Sequence, residues 1–283
     1  MKDALSLALQ YLLPQHFVSR VVGKLANIKN NTIKNFFIRC FIRHFKINLN
    51  DAEFSNLNDY DTFNAFFTRK LKKGTRPYPK AKKVISSPVD GTISQIGNIT
   101  KGQLIQAKGR YFSLLELLGG ETNHATHFKN GKFATLYLSP SDYHRVHMPI
   151  KGKLVGMTHV PGKLFSVNNH TANNVPNLYA RNERAVMFFE SENGPFILVM
   201  VGAMLVASIV TSFLGKLTPP TLSSIKHYNF ENAPKEFQRG QELGFFEFGS
   251  TVILVFEADQ LNWRKSMRPG SDIKLGQSLE DSV

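Results

Sequence analysis

The stretch Glu242–Gln260, ELGFFEFGSTVILVFEADQ, decides how this chain is to be read. Its second half, Thr251 to Phe256, is an unbroken β-branched and apolar run, the composition of a buried strand. The run is entered through Gly249-Ser250. Such a pair ordinarily makes the turn into a strand. It can also present Ser250 as a nucleophile beside a Gly249 carbonyl that no side chain shields. The pair alone leaves both readings open.

Working back from this stretch, short apolar runs separated by Gly, Pro, Asn and Asp recur from Val84 onward. Thr92–Ile99, Lys132–Leu138, Gly152–Val160, Phe196–Val201, Ala203–Phe213 and Thr251–Phe256 have the length and Val/Ile/Phe content of strands, and Ser113–Leu118 is the clear helical turn among them. The expected fold class is α+β: a mainly β body over 84–283, preceded by a helical, membrane-associating region over 1–58. Between them, 59–83 mixes Lys, Arg, Gly and Pro in its second half and reads as an exposed basic connection.

The chain has 283 residues, 42% hydrophobic and 20% charged, enough for a sizeable core and unlike a disordered segment. Its net charge of +14 implies an anionic partner: nucleic acid, a membrane surface or a phosphorylated substrate. The charge is concentrated. Residues 1–50 carry Lys2, Arg20, Lys24, Lys29, Lys34, Arg39, Arg43 and Lys46 against the single acid Asp3. The same residues are strongly apolar, in three segments: Leu5–Leu13, Phe17–Ile28 and Thr32–Leu49. In the third, Phe37, Phe41 and Phe45 recur with helical spacing beside Ile38 and Ile42, while Arg39, Arg43 and Lys46 point away. None reaches the roughly 18–20 apolar residues that span a bilayer, so a helix lying in the interface and a helical cap on a soluble core both fit. No small-residue cleavage site follows Leu13, so a signal peptide is not expected. Cys40 is the only cysteine, so an intrachain disulfide and a cysteine-cluster zinc site are excluded.

Three stretches could complement Ser250. In SSPVDGTISQIG, Asp90 precedes Gly91 at a turn. LYLSPSDYHRVHMPIKGKL brings Asp142, His144 and His147 within six residues, as metal ligands, acid–base groups or ordinary loop polars. The long Asn-rich stretch Thr158–Ala185 has the length of a functional loop. Serine, histidine and aspartate together suggest acyl chemistry, with aspartate orienting an imidazole that takes the hydroxyl proton. Ser250 does not sit in a Gly-x-Ser-x-Gly elbow, which weakens an α/β-hydrolase reading. The carbonyl nearest to its hydroxyl is that of Gly249.

FGST (Phe248–Thr251), SPVDGTISQIG (Ser87–Gly97), YLSPSDYHRVHMP (Tyr137–Pro149), HVPGKLFSVN (His159–Asn168) and NLYARNERA (Asn177–Ala185) together resemble phosphatidylserine decarboxylases of the bacterial, membrane-associated kind. The resemblance runs from about Phe63 to Gly276, and the apolar helical N-terminus shares its character. One position departs: the processing motif of the family usually reads Leu-Gly-Ser-Thr, and Phe248 stands here in place of the leucine. With Gly249 and Ser250 retained, cleavage is expected to survive.

The resemblance implies self-cleavage between Gly249 and Ser250 by serine attack and an N-to-O acyl shift, with Asp90 holding His147 and His147 acting as base. Elimination and hydrolysis then leave a pyruvoyl group at residue 250, in a small chain 250–283 that stays with the large chain 1–249. By the same resemblance the pyruvoyl cofactor forms a Schiff base with phosphatidylserine and takes up the electrons left by CO2, giving phosphatidylethanolamine. His144 is assigned as proton donor, Asp142 as a residue that tunes it, and Phe165 and Ser166 as lining for the headgroup; no metal is expected. The implied partners are phosphatidylserine in a membrane and its anionic surface, the two chains of one precursor, and a second cleaved heterodimer, with no nucleic acid. The implied location is peripheral, on the cytoplasmic face of a bacterial inner membrane. A pyruvoyl decarboxylase of a soluble amino acid, a Ser/His/Asp hydrolase, a metal enzyme using His144 and His147, and a non-catalytic membrane-surface protein are the rivals.

Overall fold

The computed structural model describes residues 7, 8, 10–107, 109–204, 208–217 and 224–281. Helices α1 (Gln15–Ala26) and α2 (Asn31–Phe45) lead into a short helix α3 (Phe63–Phe67). Pro14 occupies the N-cap of α1, where its missing N–H costs nothing. Asn30 caps α2 by accepting from the N–H groups of Thr32 and Ile33, and Lys46 ends it in the left-handed conformation. Of the first predicted segment, Leu5, Ser6 and Leu9 lie outside the described residues.

The body consists of β1 (Gly91–Asn98), β2 (Gln103–Ala107), β3 (Arg110–Ser113), α4 (Leu114–Leu117), α5 (Thr122–His127), β4 (Lys132–Leu138), β5 (Arg145–His147) and β6 (Gly152–Val160). These are followed by α6 (Asn169–Asn174), α7 (Leu178–Arg181), β7 (Arg184–Ser191), β8 (Phe196–Val201), β9 (Ile209–Thr211), β10 (Gly215–Lys216) and β11 (Lys226–Asn229). The last strands are β12 (Lys235–Phe237), β13 (Glu242–Phe246), β14 (Ser250–Phe256) and β15 (Asp272–Ile273). A nine-stranded sheet runs β11-β6-β7-β8-β14-β4-β1-β15, with β12 also on β6; a four-stranded sheet runs β10-β9-β13-β5. All the strand pairs are antiparallel.

The run Thr251–Phe256 forms the strand its composition predicts, wholly buried between β4 and β8 in the large sheet. At its centre both faces of that sheet are covered, which is why β4, β8 and β14 read as near-continuous apolar runs. Val252, Leu254 and Phe256 join one core cluster with Leu136, Leu198 and Met187, while Ile253 and Val255 join another with Phe133, Val199 and Val186. The first cluster also holds Val146, Ile209, Leu243 and Phe246 of the four-stranded sheet, so it fills the space between the two sheets.

Three expectations change. The predicted strand Ala203–Phe213 is reduced to Ile209–Thr211, because the Thr211 hydroxyl accepts from Leu214 N and turns the chain; residues 205–207 lie outside the described residues. Strand β7, Arg184–Ser191, was not among the predicted strands: it begins inside the polar run Asn177–Ala185 and ends on Glu190-Ser191, which hid it. The 59–83 segment is not uniformly exposed. Phe63, Phe66 and Phe67 are buried against Ile38, Ile47 and Tyr60, Arg69 is buried, and Arg76 is largely so.

Candidate active site

Ser250 opens β14, paired with Leu138 of β4. Successive side chains of a strand alternate, so Ser250 shares the face of Val252 and Leu254, toward the core between the sheets. It is completely buried, and its hydroxyl has no hydrogen-bond partner. Leaving a buried hydroxyl unpaired costs about 1–3 kcal/mol, so such a group is an exception that asks for a reason. Around Gly249 the position of a side chain is open space. Phe248 before it has φ 119°, a backbone state that L-residues rarely adopt. Its ring is held by stacking on Phe63 (centroids 5.5 Å apart) and Phe67 (4.7 Å).

Phe67 in turn stacks on His144, with ring centroids 4.1 Å apart. His144 is fully buried, and neither ring nitrogen makes a hydrogen bond. Burial, helped by the charge of Arg69, pushes its pKa down to about 3; the carbonyls of Ser139 and Pro140 oppose the shift but stand outside hydrogen-bond geometry. His147 lies on β5, its backbone N–H donating to Pro88 O. Its Nε2 is 2.9 Å from the Tyr143 hydroxyl and its Nδ1 is 2.9 Å from Gly240 O. Burial lowers its pKa, against the opposing pull of the Gly240 carbonyl and of Glu242. Both imidazoles are therefore neutral at pH 7, the form that can accept a proton.

Asp90 stands at the start of β1, where Gly91 passes so close to Tyr137 O that no side chain would fit. The Asp90 carboxylate is not hydrogen-bonded to His147. It accepts from Arg76 at 2.6 Å (Nη2) and 2.9 Å (Nε), and from Leu275 N at 2.8 Å. Asp90 acts on His147 only at longer range, favouring its charged form. Within β5, Val146 turns into the inter-sheet core while His147 turns away from it. Asp90, His147 and Ser250 form no hydrogen-bonded chain: Asp90 is engaged by Arg76 and Leu275 N, His147 by Tyr143 and Gly240 O, and the Ser250 hydroxyl stands unpartnered. Asp142 caps its own turn, its Oδ2 accepting from Ser139 N (2.8 Å) and Ser139 Oγ (2.7 Å). Phe165 is buried beneath Tyr11 and Arg181, and Ser166 is half-buried beside it. Among the described residues, no group of three His, Cys, Asp or Glu is placed to hold a metal ion.

Several residues of the region were not legible beforehand. Arg76, Phe67 and Arg69 lie outside the motifs read above, and Tyr143, within Tyr137–Pro149, had no role assigned to it. Arg69 donates to Ser141 O and Asp142 O, 72 and 73 positions away, a pairing that no short stretch of sequence announces. Phe248 was legible as a departure, though not as a member of an aromatic stack. A cavity of about 530 Å3 between α1 and α2 is walled by Val22, Leu25, Phe37, Phe41, Phe63 and Phe248. Its lining links the N-terminal helices to the residue next to Gly249.

A pyruvoyl group at residue 250 fits this site. The buried, unpartnered Ser250 hydroxyl and the open space beside Gly249 are what its formation from serine needs.

Known proteins bear on this geometry. A family profile described as phosphatidylserine decarboxylase matches residues 63–280, and a second, described as PSD, matches residues 5–46. The chain is 50% identical over 282 residues to the phosphatidylserine decarboxylase proenzyme of Azotobacter vinelandii, covering 99% of this chain and 98% of that one. It is 48% identical over 281 residues to the proenzyme of Stutzerimonas stutzeri, covering 99% and 95%. It is 47% identical over 286 residues to that of Shewanella amazonensis, covering 99% and 100%. With its expected α+β fold formed and its Gly249-Ser250 step at the mouth of the central strand, the chain belongs to the phosphatidylserine decarboxylase family.

Proposed function

We propose that this chain is a proenzyme that cuts itself between Gly249 and Ser250 and then decarboxylates phosphatidylserine to phosphatidylethanolamine. The observation that carries the reading is the buried, unpartnered Ser250 hydroxyl following a glycine with no steric cover. Ser250 Oγ attacks the Gly249 carbonyl carbon, the peptide C–N bond breaks, and the residue 250 nitrogen takes the proton, leaving an ester. Loss of the Cα proton with departure of the Gly249 carboxylate gives dehydroalanine, and water replaces its nitrogen, released as ammonia. The resulting ketone supplies the electron sink that an amino acid losing CO2 requires.

His147 is the base for the first step. Its neutral ring can accept the hydroxyl proton once it exchanges Tyr143 and Gly240 for Ser250, and Asp90, fixed by Arg76, favours the imidazolium that forms. His144 holds the proton for the product. Neutral in the substrate-free chain, it gains basicity when an anionic headgroup enters beside it and offsets its desolvation. Asp142 shapes the turn before it, and the Phe165–Ser166 loop forms a wall of the headgroup site.

The substrate lies in a bilayer, and the outer surface suits one. Leu12 (80% exposed), Phe17 (58%) and Phe36 (61%) stand exposed on the basic N-terminal helices. No helix among the described residues is long and apolar enough to cross a membrane, so we infer a peripheral seat, on the cytoplasmic face of the bacterial inner membrane.

Intact mass under denaturing conditions tests the reading. Wild type gives fragments 1–249 and 250–283, the latter beginning with a pyruvoyl group; Ser250→Ala and His147→Ala remain single chains. His144→Ala is cut but does not release CO2 from phosphatidylserine. A single uncut wild-type chain would overturn the proposal.

A further inference from the structure

The N-terminal helical segment is built inside out. On α1 the buried positions include Gln15 and Ser19, whereas Phe17, Val21 and Leu25 are exposed. A helix that turns amides inward and phenylalanine outward has polar business with the protein and apolar business elsewhere. The polar business is with one loop. Gln15 Oε1 accepts from Leu164 N at 2.7 Å and Gln10 Oε1 accepts from Ser166 N at 2.9 Å. Gln10 is 3% exposed and Gln15 6%, and the Gln15 amide donates back to Gln10 O at 2.6 Å, so the two form one unit. His16 Nε2 reaches Gly162 O at 3.0 Å.

The loop amides between these are satisfied from the other side. Lys163 N donates to Arg181 O at 2.8 Å and Phe165 N to Asn182 Oδ1 at 3.2 Å. Along 163–166, alternate N–H groups are thus taken by the body, and the remaining ones by two glutamine side chains. Tyr11 seals the arrangement, its ring centroid 5.0 Å from that of Phe165 with Arg181 over the same ring.

We propose that Gln10 and Gln15 are positioning residues through which the N-terminal segment, seated on a lipid surface, holds the Gly162–Ser166 loop in its working shape. Lipid contact at Leu12, Phe17 and Val21 steadies the outer face, and the glutamines on the inner face pass that order to the loop. The consequence for substrate rests on the reading above that Phe165 and Ser166 wall the headgroup site; the clamp itself does not.

The test uses the full, self-cleaved protein and its Gln10→Met/Gln15→Met variant, in which the shape is kept and the acceptors are lost. Amide hydrogen exchange is followed for Leu164 and Ser166, in buffer and with phosphatidylglycerol/phosphatidylcholine vesicles. Decarboxylation is assayed on phosphatidylserine in mixed micelles. We expect vesicles to slow exchange in the wild type, and the variant to exchange about tenfold faster and to be insensitive to vesicles. Its apparent KM rises about fivefold while kcat stays within about twofold. Complete self-cleavage of the variant reports that the body is folded; if it stays uncut, Gln15→Met alone takes its place. Faster exchange with an unchanged KM would keep the clamp and remove Phe165 and Ser166 from the headgroup site. Exchange equal to wild type with and without vesicles would overturn the clamp whatever the kinetics.

Discussion

Phe248 carries a backbone strain that Gly249 would have borne at no cost. Its φ of 119° costs on the order of 1–3 kcal/mol for a residue with a side chain, and the stack on Phe63 and Phe67 holds it there. Cutting the Gly249–Ser250 bond, one residue further on, would free the chain to relax, so the strain favours the proposed cut. Phe248→Gly removes both the strain and the anchor. We expect its precursor to disappear about tenfold more slowly, about 1.4 kcal/mol in the barrier, in a time course of precursor mass. An unchanged rate would mean that the stack is packing and nothing more. Gly249, Ser250 and the departure at 248 were legible because each is visible in one short stretch. The stack was not, because Phe63 and Phe67 are far away in sequence, in a segment read as an exposed connection.

At the level of elements, residues 250–283, the small chain of the proposed cut, are laced through the rest of the fold. β14 lies between β4 and β8, β15 pairs with β1, and Leu279 N donates to Ile85 O. Asp90 ties these parts together, receiving Arg76 from the basic connection and Leu275 N from the segment after Ser250. Removing Arg76 leaves a carboxylate buried with fewer partners, which is more harmful than never having had the pair. Arg76→Ala should therefore lower stability by about 3 kcal/mol in chemical denaturation of the precursor. A change below about 0.5 kcal/mol would mean that water or Lys274, 3.8 Å away, replaces it. Of the strands around this pair, β1 was readable from its apolar run, whereas the two-residue β15 was not. Arg76 was misread as solvated because a Lys/Arg/Gly/Pro segment has the same composition whether its arginine meets water or a carboxylate.

Across the whole molecule, exposed apolar side chains and excess positive charge coincide on the N-terminal helices. Phe17, Phe36 and Phe37 stand out from α1 and α2, near Arg20, Arg39 and Arg43. Sedimentation with phosphatidylglycerol vesicles should weaken as salt rises through the range in which the Debye length falls to about 8 Å and below. Phe17→Glu/Phe36→Glu should lose about tenfold in partition coefficient while still cutting itself. Binding of that variant equal to wild type would place the lipid-facing surface elsewhere.

The sequence by itself determined the strand Thr251–Phe256, the Gly249-Ser250 step before it, the α+β class and the basic apolar character of the first fifty residues. Each of these depends on neighbours in the chain: side-chain shape, spacing and local charge. Only the tertiary structure decided that Asp90 is engaged by Arg76, that His147 faces Tyr143 while His144 is stacked under Phe67, and that α1 turns glutamines inward onto a distant loop. Those outcomes turn on which long-range partner satisfies a buried polar group. Many partners of the right type exist along the chain, and packing selects among them.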